Sequence, residues 1–292
     1  MSCDLAHFTI PYGCFFSDLG ADMAIRTLDQ RPSIGSMIKP GELIDILENT
    51  SRPLTLLDRR NYNLLILNAW DRIGEEAPHQ IHLAELRGTD TSNARVKDSI
   101  ERLMTTIVRV RYINPETGRP NTIRVQLLGG NRAEDESPDG FLAYRFDPLL
   151  IELLQNSRTY GRLRIEVMAA FESKYALAAY EMAMKRRNLR HVAREKFTIE
   201  EMRGLLGVQD GKLSRFSDLN AYALRTAELE VNALAEEVCI AFEPEYRGRR
   251  CVGIWFQWRD KTPEERKAAF AELQRPRVGR SARLRGSVVD TV

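Results

Sequence analysis

The side chains with the clearest chemistry in this sequence are basic and amide groups, clustered most densely in its second half. Guanidinium, ammonium and amide groups bind phosphate oxygens and the edges of bases, which is the chemistry of nucleic-acid recognition. Each such residue can equally be an ordinary solvated charge. The candidates in this half are Lys212, Arg215, Ser217, Asn220, Arg225, Arg247, Arg249 and Arg250, with Arg186, Arg187 and Arg190 ending an earlier predicted helix.

The net charge of the whole chain is only +2, but the charge is unevenly distributed. Residues 162–292 contain 25 Lys and Arg against 19 Asp and Glu, a net charge of +6, whereas residues 1–161 have a net charge of −4. A basic half supplies the salt-dependent attraction to phosphate that binding to nucleic acid requires.

The sequence lacks the motifs of catalysis and of cofactor or metal binding. It has no GxxxxGK[ST] phosphate loop, and the HQIH segment at 79–82 is not the His-hydrophobe-His metal motif of rolling-circle nickases. The cysteines form no CxxC pair and indicate free thiols in a cytoplasmic protein. We therefore expect no enzymatic activity, no metal and no cofactor. The four cysteines are Cys3, Cys14, Cys239 and Cys251.

No segment of the sequence is apolar enough to suggest a membrane span. The longest apolar runs, such as LLILNAW at 64–70, are far shorter than the roughly 18–20 residues that a span requires. The N-terminus also lacks the pattern of a secretory signal. We expect a cytoplasmic protein without membrane contact.

The first half of the chain predicts three helices followed by strands. Apolar residues recur at helical spacing in LTLLDRRNYNLLILNAWDRI, in the short IHLAELRG and in TSNARVKDSIERLMTTI, which Thr91 or Ser92 can cap. VRVRYI at 108–113 and TIRVQLL at 122–128 predict a hairpin, and FLAYRF at 141–146 predicts a third strand. This is the element order of a winged helix, a helix-turn-helix with an appended β-hairpin.

In a winged helix the longer helix and the hairpin contact DNA, so their polar residues are the candidates of the first half. They are Asn93, Arg95, Lys97 and Arg102 on the helix, and Arg119, Asn121 and Arg124 on the hairpin. The apolar stripe at 57–70 is interpreted as core, with a protein interface as the alternative.

The same order of elements returns in the second half. SKYALAAYEMAMKRR predicts a helix, and TIEEMRGLLG predicts a second helix with a Thr198–Glu201 capping box and Gly207 as C-cap. SDLNAYALRTAELEVNALAEE predicts a long helix with Ser217 as N-cap, followed by the strands VCIAFEP and RCVGIWFQW. One architecture occurring twice predicts an α+β fold of two tandem winged-helix domains related by internal duplication.

We divide the chain into four regions. Residues 1–50 are an irregular N-terminal extension with one short helix near 41–48, and residues 51–158 are the first winged-helix domain. Residues 159–258 are the second and main DNA-binding domain. Residues 259–292 form a basic tail in which TPEERKAAFAELQ is helical and the remainder is disordered. The aromatic residues of the last strand, Trp255, Phe256 and Trp258, are expected to pack in the core rather than stack on bases.

The segment from Lys174 to Trp258 resembles the second domain of the iteron-binding, theta-type plasmid replication initiators. The resemblance rests on KYALAAYE, on FTIEEMRGLLG, on the LRTAELEVN run and on the closing GIWFQW. The first half resembles the first domain of that family more loosely. Together the similarity extends over residues 54–258, about 70% of the chain. Where the family carries basic residues, this chain has Asn220, Ala221 and Tyr222, which implies a different target sequence.

Membership of this family would imply a DNA-binding protein that starts plasmid replication. A monomer would bind direct repeats, the iterons, in double-stranded origin DNA, and would recruit the host replication initiator and the replicative helicase. The first domain would contact one end of the iteron and form the dimer interface. A dimer would bind an inverted repeat at the operator and repress the protein's own gene.

Two other functions fit the same sequence. A winged-helix transcriptional regulator would bind an operator without starting replication. A structural or partition adaptor would use residues 54–113 for protein contacts only.

Overall fold

The computed structural model describes the chain in seven segments. These segments are 26–49, 52–75, 77–88, 92–114, 117–133, 140–189 and 191–286. Four residues named above, Cys3, Cys14, Thr91 and Arg190, lie outside the described residues, as does the end of the tail from 287 onward.

The described residues alternate short helices with four small antiparallel sheets. The helices are α1 Leu56–Ala69, α2 Leu83–Arg87, α3 Ala94–Thr105, α4 Pro148–Asn156, α5 Ile165–Ala170, α6 Lys174–Arg186, α7 Ile199–Leu205, α8 Phe216–Leu219, α9 Arg225–Leu234, α10 Pro263–Gln274 and α11 Arg280–Leu284. The strands are β1 Ser36–Pro40, β2 Leu47–Asn49, β3 His79–His82, β4 Ile107–Ile113, β5 Pro120–Gln126, β6 Asn131–Ala133, β7 Phe141–Tyr144, β8 Tyr160–Arg164, β9 Arg194–Phe197, β10 Val238–Arg247 and β11 Arg250–Asp260. No helix in the described ranges is both long and apolar enough to cross a membrane.

The first winged helix contains α1, α2, α3 and the β4–β5 hairpin, as predicted. Helix α1 begins at a capping box in which Thr55 accepts from the backbone of Asp58 and Asp58 accepts from that of Thr55. The N-cap of α3 is Asn93 rather than Thr91 or Ser92, although Ser92 Oγ accepts a hydrogen bond from the N–H group of Ala94. The 57–70 stripe is largely core, because Leu65 and Ile66 are fully buried and Trp70 is only 5% exposed.

The helix predicted near 41–48 is wrong, because this segment is tied into two sheets. It has one 3-10 turn, Gly41–Leu43, between β1 and β2. Strand β1 pairs with β8, and β2 pairs with β4, so the partners lie far away in sequence. Similarly, the helix predicted over IHLAELRG is limited to α2, because residues 79–82 alternate between buried and exposed positions and pair with β7.

The second winged helix contains α6, α7, a long helix and the β10–β11 hairpin, to which β9 adds a third strand. The long helix runs through α8, a π-helical turn at Asn220–Leu224 and α9; we call it the recognition helix. Both predicted caps of α7 are confirmed. The Thr198–Glu201 capping box is present, and Gly207 follows the helix with a φ of +67°, a conformation that glycine adopts without strain.

The prediction of a disordered end after 274 is wrong for residues 275–286. Helix α10 is present as expected, but the chain then turns back and forms α11. Arg280 is 2% exposed and donates to the carbonyl oxygens of Ala170 and Arg275. The basic residues of this stretch are therefore used partly to hold the tail against α5.

Candidate nucleic-acid interface

The recognition helix divides into a buried face and an exposed face. Leu219, Ala223 and Leu224 are fully buried. On the opposite side Tyr222 is 66% exposed and Arg225 is also exposed. Since the buried face fixes the helix on the domain, the exposed face is free to enter a DNA groove.

The N-cap of the helix lies two residues earlier than the sequence suggested. Arg215 occupies the N-cap position, and no side chain caps the helix there. The prediction that Ser217 is the N-cap is therefore wrong. Its exposed hydroxyl lies in the first turn, 3.4 Å from Asp218 Oδ1.

A π-helical turn widens the recognition helix at Asn220–Leu224. Such turns are rare, occur mostly as single turns inside α-helices and are frequent at functional sites. This turn contains Asn220 and Tyr222, two of the residues that stand where the family carries basic residues and that imply a different DNA target. Asn220 is half-buried and faces an open groove.

That groove separates the recognition helix from the hairpin. Its volume is about 460 Å³. Tyr246 on the hairpin packs edge-on against Phe216 at a centroid distance of 6.2 Å, which connects the two walls at one end. Amide, guanidinium and phenol groups thus share one concave surface. The lining residues are Asn220, Arg225, Glu228, Phe242, Pro244 and Tyr246.

The turn before the recognition helix is held by Arg203 of α7. Its guanidinium group donates to the carbonyl oxygens of Lys212 and Leu213. Leu213 has a φ of +49°, an uncommon conformation for a residue with a side chain. With the backbone fixed in this way, the side chains of Lys212 and Arg215 remain exposed.

The hairpin presents a second group of basic residues. Strands β10 and β11 are joined by a tight turn in which Gly248 has a φ of +62°. Arg247, Arg249 and Arg250 flank this glycine, and all three are exposed. The tip of the hairpin is therefore positively charged, as a winged-helix wing requires for phosphate contact.

The basic candidates around the recognition helix are not neutralised by the protein itself. Within the described ranges, no side-chain hydrogen bond or ion pair involves Lys212, Arg215, Arg225, Arg247, Arg249 or Arg250. By contrast, Arg186, Arg203 and Arg259 each pair with carboxylates. The second domain therefore places its unpaired positive charge on three adjacent elements: the turn, the helix and the wing.

The first-domain candidates fall into two groups. Arg95 and Lys97 are exposed on α3, and Arg119 and Arg124 are exposed on the hairpin. Arg102 is not available, because its Nε lies 2.7 Å from Asp58 Oδ2. Asn93 accepts from Arg87 at the start of α3, and Asn121 is half-buried on β5.

Comparison with models of known protein families shows which family the chain belongs to. A family model described as "Initiator Replication protein, WH1" matches residues 39–184, which is half of the chain. A second, described as "Initiator Rep protein, WH2", matches residues 198–258. The chain belongs to the initiator replication protein family. It is a replication initiator with two winged-helix domains, and DNA binding follows from that fold.

Among the solved structures similar to this initiator are two of domains 2 and 3 of RctB. The selenomethionine derivative has 12% sequence identity and a TM-score of 0.43, with 72% of this chain and 84% of that chain covered. The other has 12% identity and a TM-score of 0.36, with 72% and 83% covered. A search of curated proteins found no match. Proteins of the initiator family are in general DNA-binding proteins rather than enzymes.

Two polar residues that carry the family resemblance of the initiator have structural roles. Asn232 on the recognition helix donates to the carbonyl oxygen of Ile240 at 2.9 Å and accepts from its N–H group at 2.8 Å. Glu230 accepts from the N–H groups of Glu172 and Ser173, just before α6, and burial raises the pKa of this carboxyl. These bonds set the recognition helix relative to the wing and to α6.

Arg186 of the initiator is not a phosphate clamp in this structure. It is 4% exposed, and its guanidinium group pairs with Asp45 at 2.9 Å and with Glu195 at 2.6 Å. Its neighbour Arg187 is half-buried and pairs with Asp260 at 2.6 Å. The sequence places Arg186 and Arg187 among the candidates for phosphate contact, because sequence spacing cannot show which acidic residues fold against them.

The aromatic residues at the end of the hairpin are mostly structural. Phe256 is fully buried and Trp258 is 5% exposed, as the sequence suggested. Trp255 is half-buried on the other face of the strand, where the Arg194 guanidinium lies 4.5 Å from its ring centroid. This cation–π contact uses the ring face that base stacking would need.

Proposed function

We propose that this initiator binds direct repeats in double-stranded origin DNA and thereby starts theta replication of a plasmid. The observation that carries the proposal is the second-domain surface of the recognition helix, turn and wing, whose basic side chains have no partner within the described residues. A basic surface that the protein leaves unneutralised is suited to the phosphate backbone.

In this proposal the exposed residues divide into two roles. Ser217, Asn220 and Arg225 lie on the recognition helix and contact base edges in the major groove; an Asn amide matches adenine, and an Arg guanidinium matches guanine. The surrounding cations position the protein on the duplex through phosphates. These are Lys212, Arg215, Arg247, Arg249 and Arg250. Arg187 would contribute only by releasing Asp260, and the structure gives Arg186 no such role.

The first winged helix contacts the next major groove on the same face of the duplex. Asn93, Arg95 and Lys97 belong to its recognition helix, and Arg119 and Arg124 belong to its wing. For two recognition helices about one helical turn apart, the site would extend over roughly 20 base pairs. The boundaries of the two winged-helix domains, 51–158 and 159–258, stay a prediction from the sequence.

Further parts of the proposal concern assembly and partners. The protein acts in the cytoplasm without catalytic activity of its own, so opening of the origin and loading of the helicase depend on the host initiator and replicative helicase. A dimer formed through the first domain binds the operator and represses the gene.

Footprinting on the DNA that flanks the gene tests this function. The proposal predicts periodic protection of direct repeats beside an A·T-rich stretch, and maintenance of a test plasmid that carries them. Loss of protection with Asn220→Ala, but not with Asn156→Ala on the exposed surface of α4, would tie the protection to the recognition helix. A single palindromic footprint without plasmid replication would contradict the proposal and favour a transcriptional regulator.

A further inference from the structure

The outer face of the first-domain hairpin carries three exposed arginines. Arg109 and Arg111 alternate with buried residues of β4, and Arg124 occupies the same face of β5. The opposite face of the hairpin packs into the core, where Val108 and Val110 are at most 1% exposed. The arginines are therefore fixed by a buried hairpin and directed away from the domain.

Two of these arginines are direct neighbours across the strands. The register pairs Arg109 with Arg124 and Arg111 with Thr122. Like charges directly opposite each other destabilise a sheet. Within the described residues, no side-chain hydrogen bond or ion pair compensates any of the three. The domain thus keeps a repulsive arrangement on this face.

Two arginines of the same domain are neutralised by carboxylates of the chain. Arg59 pairs with Glu48 at 2.7 Å, and Arg102 pairs with Asp58 at 2.7 Å. The three arginines of the hairpin face differ from these because their counter-charge does not come from the described part of the chain. An external polyanion would supply it.

The position of the arginine face indicates which polyanion binds there. Leu47 of β2 is the register partner of Arg109 on the same sheet, and it packs against Gly204 of α7 so closely that a Cβ atom there would lie 2.8 Å from Leu47 Cδ2. Helix α7 is the first helix of the second-domain helix-turn-helix, the helix that crosses the DNA backbone in such motifs. The arginine face therefore borders the DNA-binding unit of the other domain.

We propose that Arg109, Arg111 and Arg124 bind backbone phosphates of the DNA duplex that spans the two winged helices. This inference rests on the proposed function and extends the first-domain wing, where Arg124 is already a candidate, by Arg109 and Arg111. Arginine suits the role, because its planar guanidinium group donates two parallel hydrogen bonds to phosphate oxygens. Phosphate contacts fix the register of the protein on the duplex and carry no sequence information directly.

The test measures how the binding constant of the full-length protein depends on salt. The probes are a duplex that carries the footprinted repeat and a random-sequence duplex of equal length. In the Arg109→Ala/Arg111→Ala/Arg124→Ala variant, the slope of log K against log salt on the repeat duplex should decrease in magnitude by about 2–3, since each phosphate contact contributes about 0.9. Arg→Lys substitution at all three positions should restore most of the slope.

A matched variant removes the same charge elsewhere. Arg72, Arg158 and Arg285 are exposed. Their replacement by alanine should change the slope by well under 1. The melting temperature of the hairpin variant should equal or exceed that of the native protein, because a repulsive pair is removed.

The outcomes separate this inference from the proposed function. If the hairpin variant keeps the native slope, or if the matched variant loses as much, the phosphate-binding face is refuted. A native slope combined with lost plasmid maintenance would assign the face to an acidic protein instead. If the native protein prefers neither duplex, the proposed function fails. A smaller slope of the hairpin variant on both duplexes would in that case still support the phosphate-binding face.

Discussion

Lys39 Nζ lies 2.8 Å from Glu181 Oε2, and the two side chains are only 3% and 1% exposed. The other oxygen of the Glu181 carboxylate accepts from Asn63 Nδ2 at 2.7 Å. Lys39 belongs to β1, Asn63 to α1 and Glu181 to α6, so one buried carboxylate joins the N-terminal segment to both winged helices. The relative position of the two DNA-binding domains depends on such polar contacts.

Removing one partner of this buried pair should destabilise the protein strongly. Glu181→Leu leaves the Lys39 ammonium without its counter-charge, which costs about 3–5 kcal/mol for a buried pair. The free energy of unfolding from urea titration measures the loss. The double variant Lys39→Met/Glu181→Leu should recover most of it, because no buried charge remains. A double variant that loses the sum of both single effects would contradict this account.

A second ion-paired cluster, which joins Asp45 of the N-terminal segment to α6, should make stability depend on pH in the acidic range. Burial alone would raise the pKa of Asp45, but Lys185 at 2.7 Å and Arg186 at 2.9 Å outweigh it and hold the pKa below its usual value. Because the folded pKa is depressed, the stabilisation is fully present above the unfolded pKa of about 4 and is lost as the pH falls through the folded pKa.

The Asp45→Asn variant tests this dependence. Its deficit in free energy of unfolding relative to the native protein should be constant between about pH 5 and 7 and should shrink below about pH 4. The measurement is denaturant unfolding of both proteins across that range. A deficit that is the same at pH 3 and at pH 6 would show that the Asp45 charge does not stabilise the fold.

Asn232 should matter for stability although it lies on the recognition helix. Asn232→Ala removes both hydrogen bonds to Ile240 and leaves two strand groups unsatisfied, at a cost of about 1–3 kcal/mol each before relaxation. Thermal unfolding should therefore show a clear decrease in melting temperature. The control Asn156→Ala, at an exposed helix end, should change stability by at most about 0.5 kcal/mol. Equal effects of the two variants would argue against the bridging role of Asn232.

The tail should be protected up to α11. Arg280 is buried, and its Nε lies 3.7 Å from Glu272 Oε1 in addition to its carbonyl contacts. Limited trypsin digestion should therefore cleave after Arg285, which is exposed, well before it cleaves after Arg280. Arg280→Ala should expose the tail to rapid cleavage after Arg277, since trypsin does not cleave the Arg275–Pro276 bond. Early cleavage at Arg280 in the native protein would show that the tail does not dock.

Local patterns in the sequence predicted much of the fold. The helical stripe of α1, the Thr198–Glu201 capping box, Gly207 and the alternating strands of both hairpins depend on residues a few positions apart, and the structure contains all of them. The strands β1 and β2 were missed, because their partners lie far along the chain and their hydrogen bonds have no local signature.

Prediction of the candidate site met the same limit. Lys212, Arg215, Arg225 and the wing arginines could be nominated from residue type and position alone. Arg186 could not be judged, because the carboxylates that neutralise it come from residue 45 and from β9. Of the arginine face of the first hairpin, the sequence predicted only Arg124. Arg109 and Arg111 have the pattern of ordinary strand residues, and only the strand register shows that Arg109 lies opposite Arg124.

In the proposed function, the recognition helix of the second domain reads sequence while the surrounding arginines bind phosphates. Comparing Asn220→Ala with Arg249→Ala on the repeat duplex and on a random-sequence duplex tests it most directly. Asn220→Ala should lose about 1–3 kcal/mol on the repeat duplex only, whereas Arg249→Ala should weaken binding to both duplexes alike and lower the salt slope by about 1. If Asn220→Ala weakens both duplexes equally, or leaves both unchanged, the recognition helix does not read the sequence and the account is wrong.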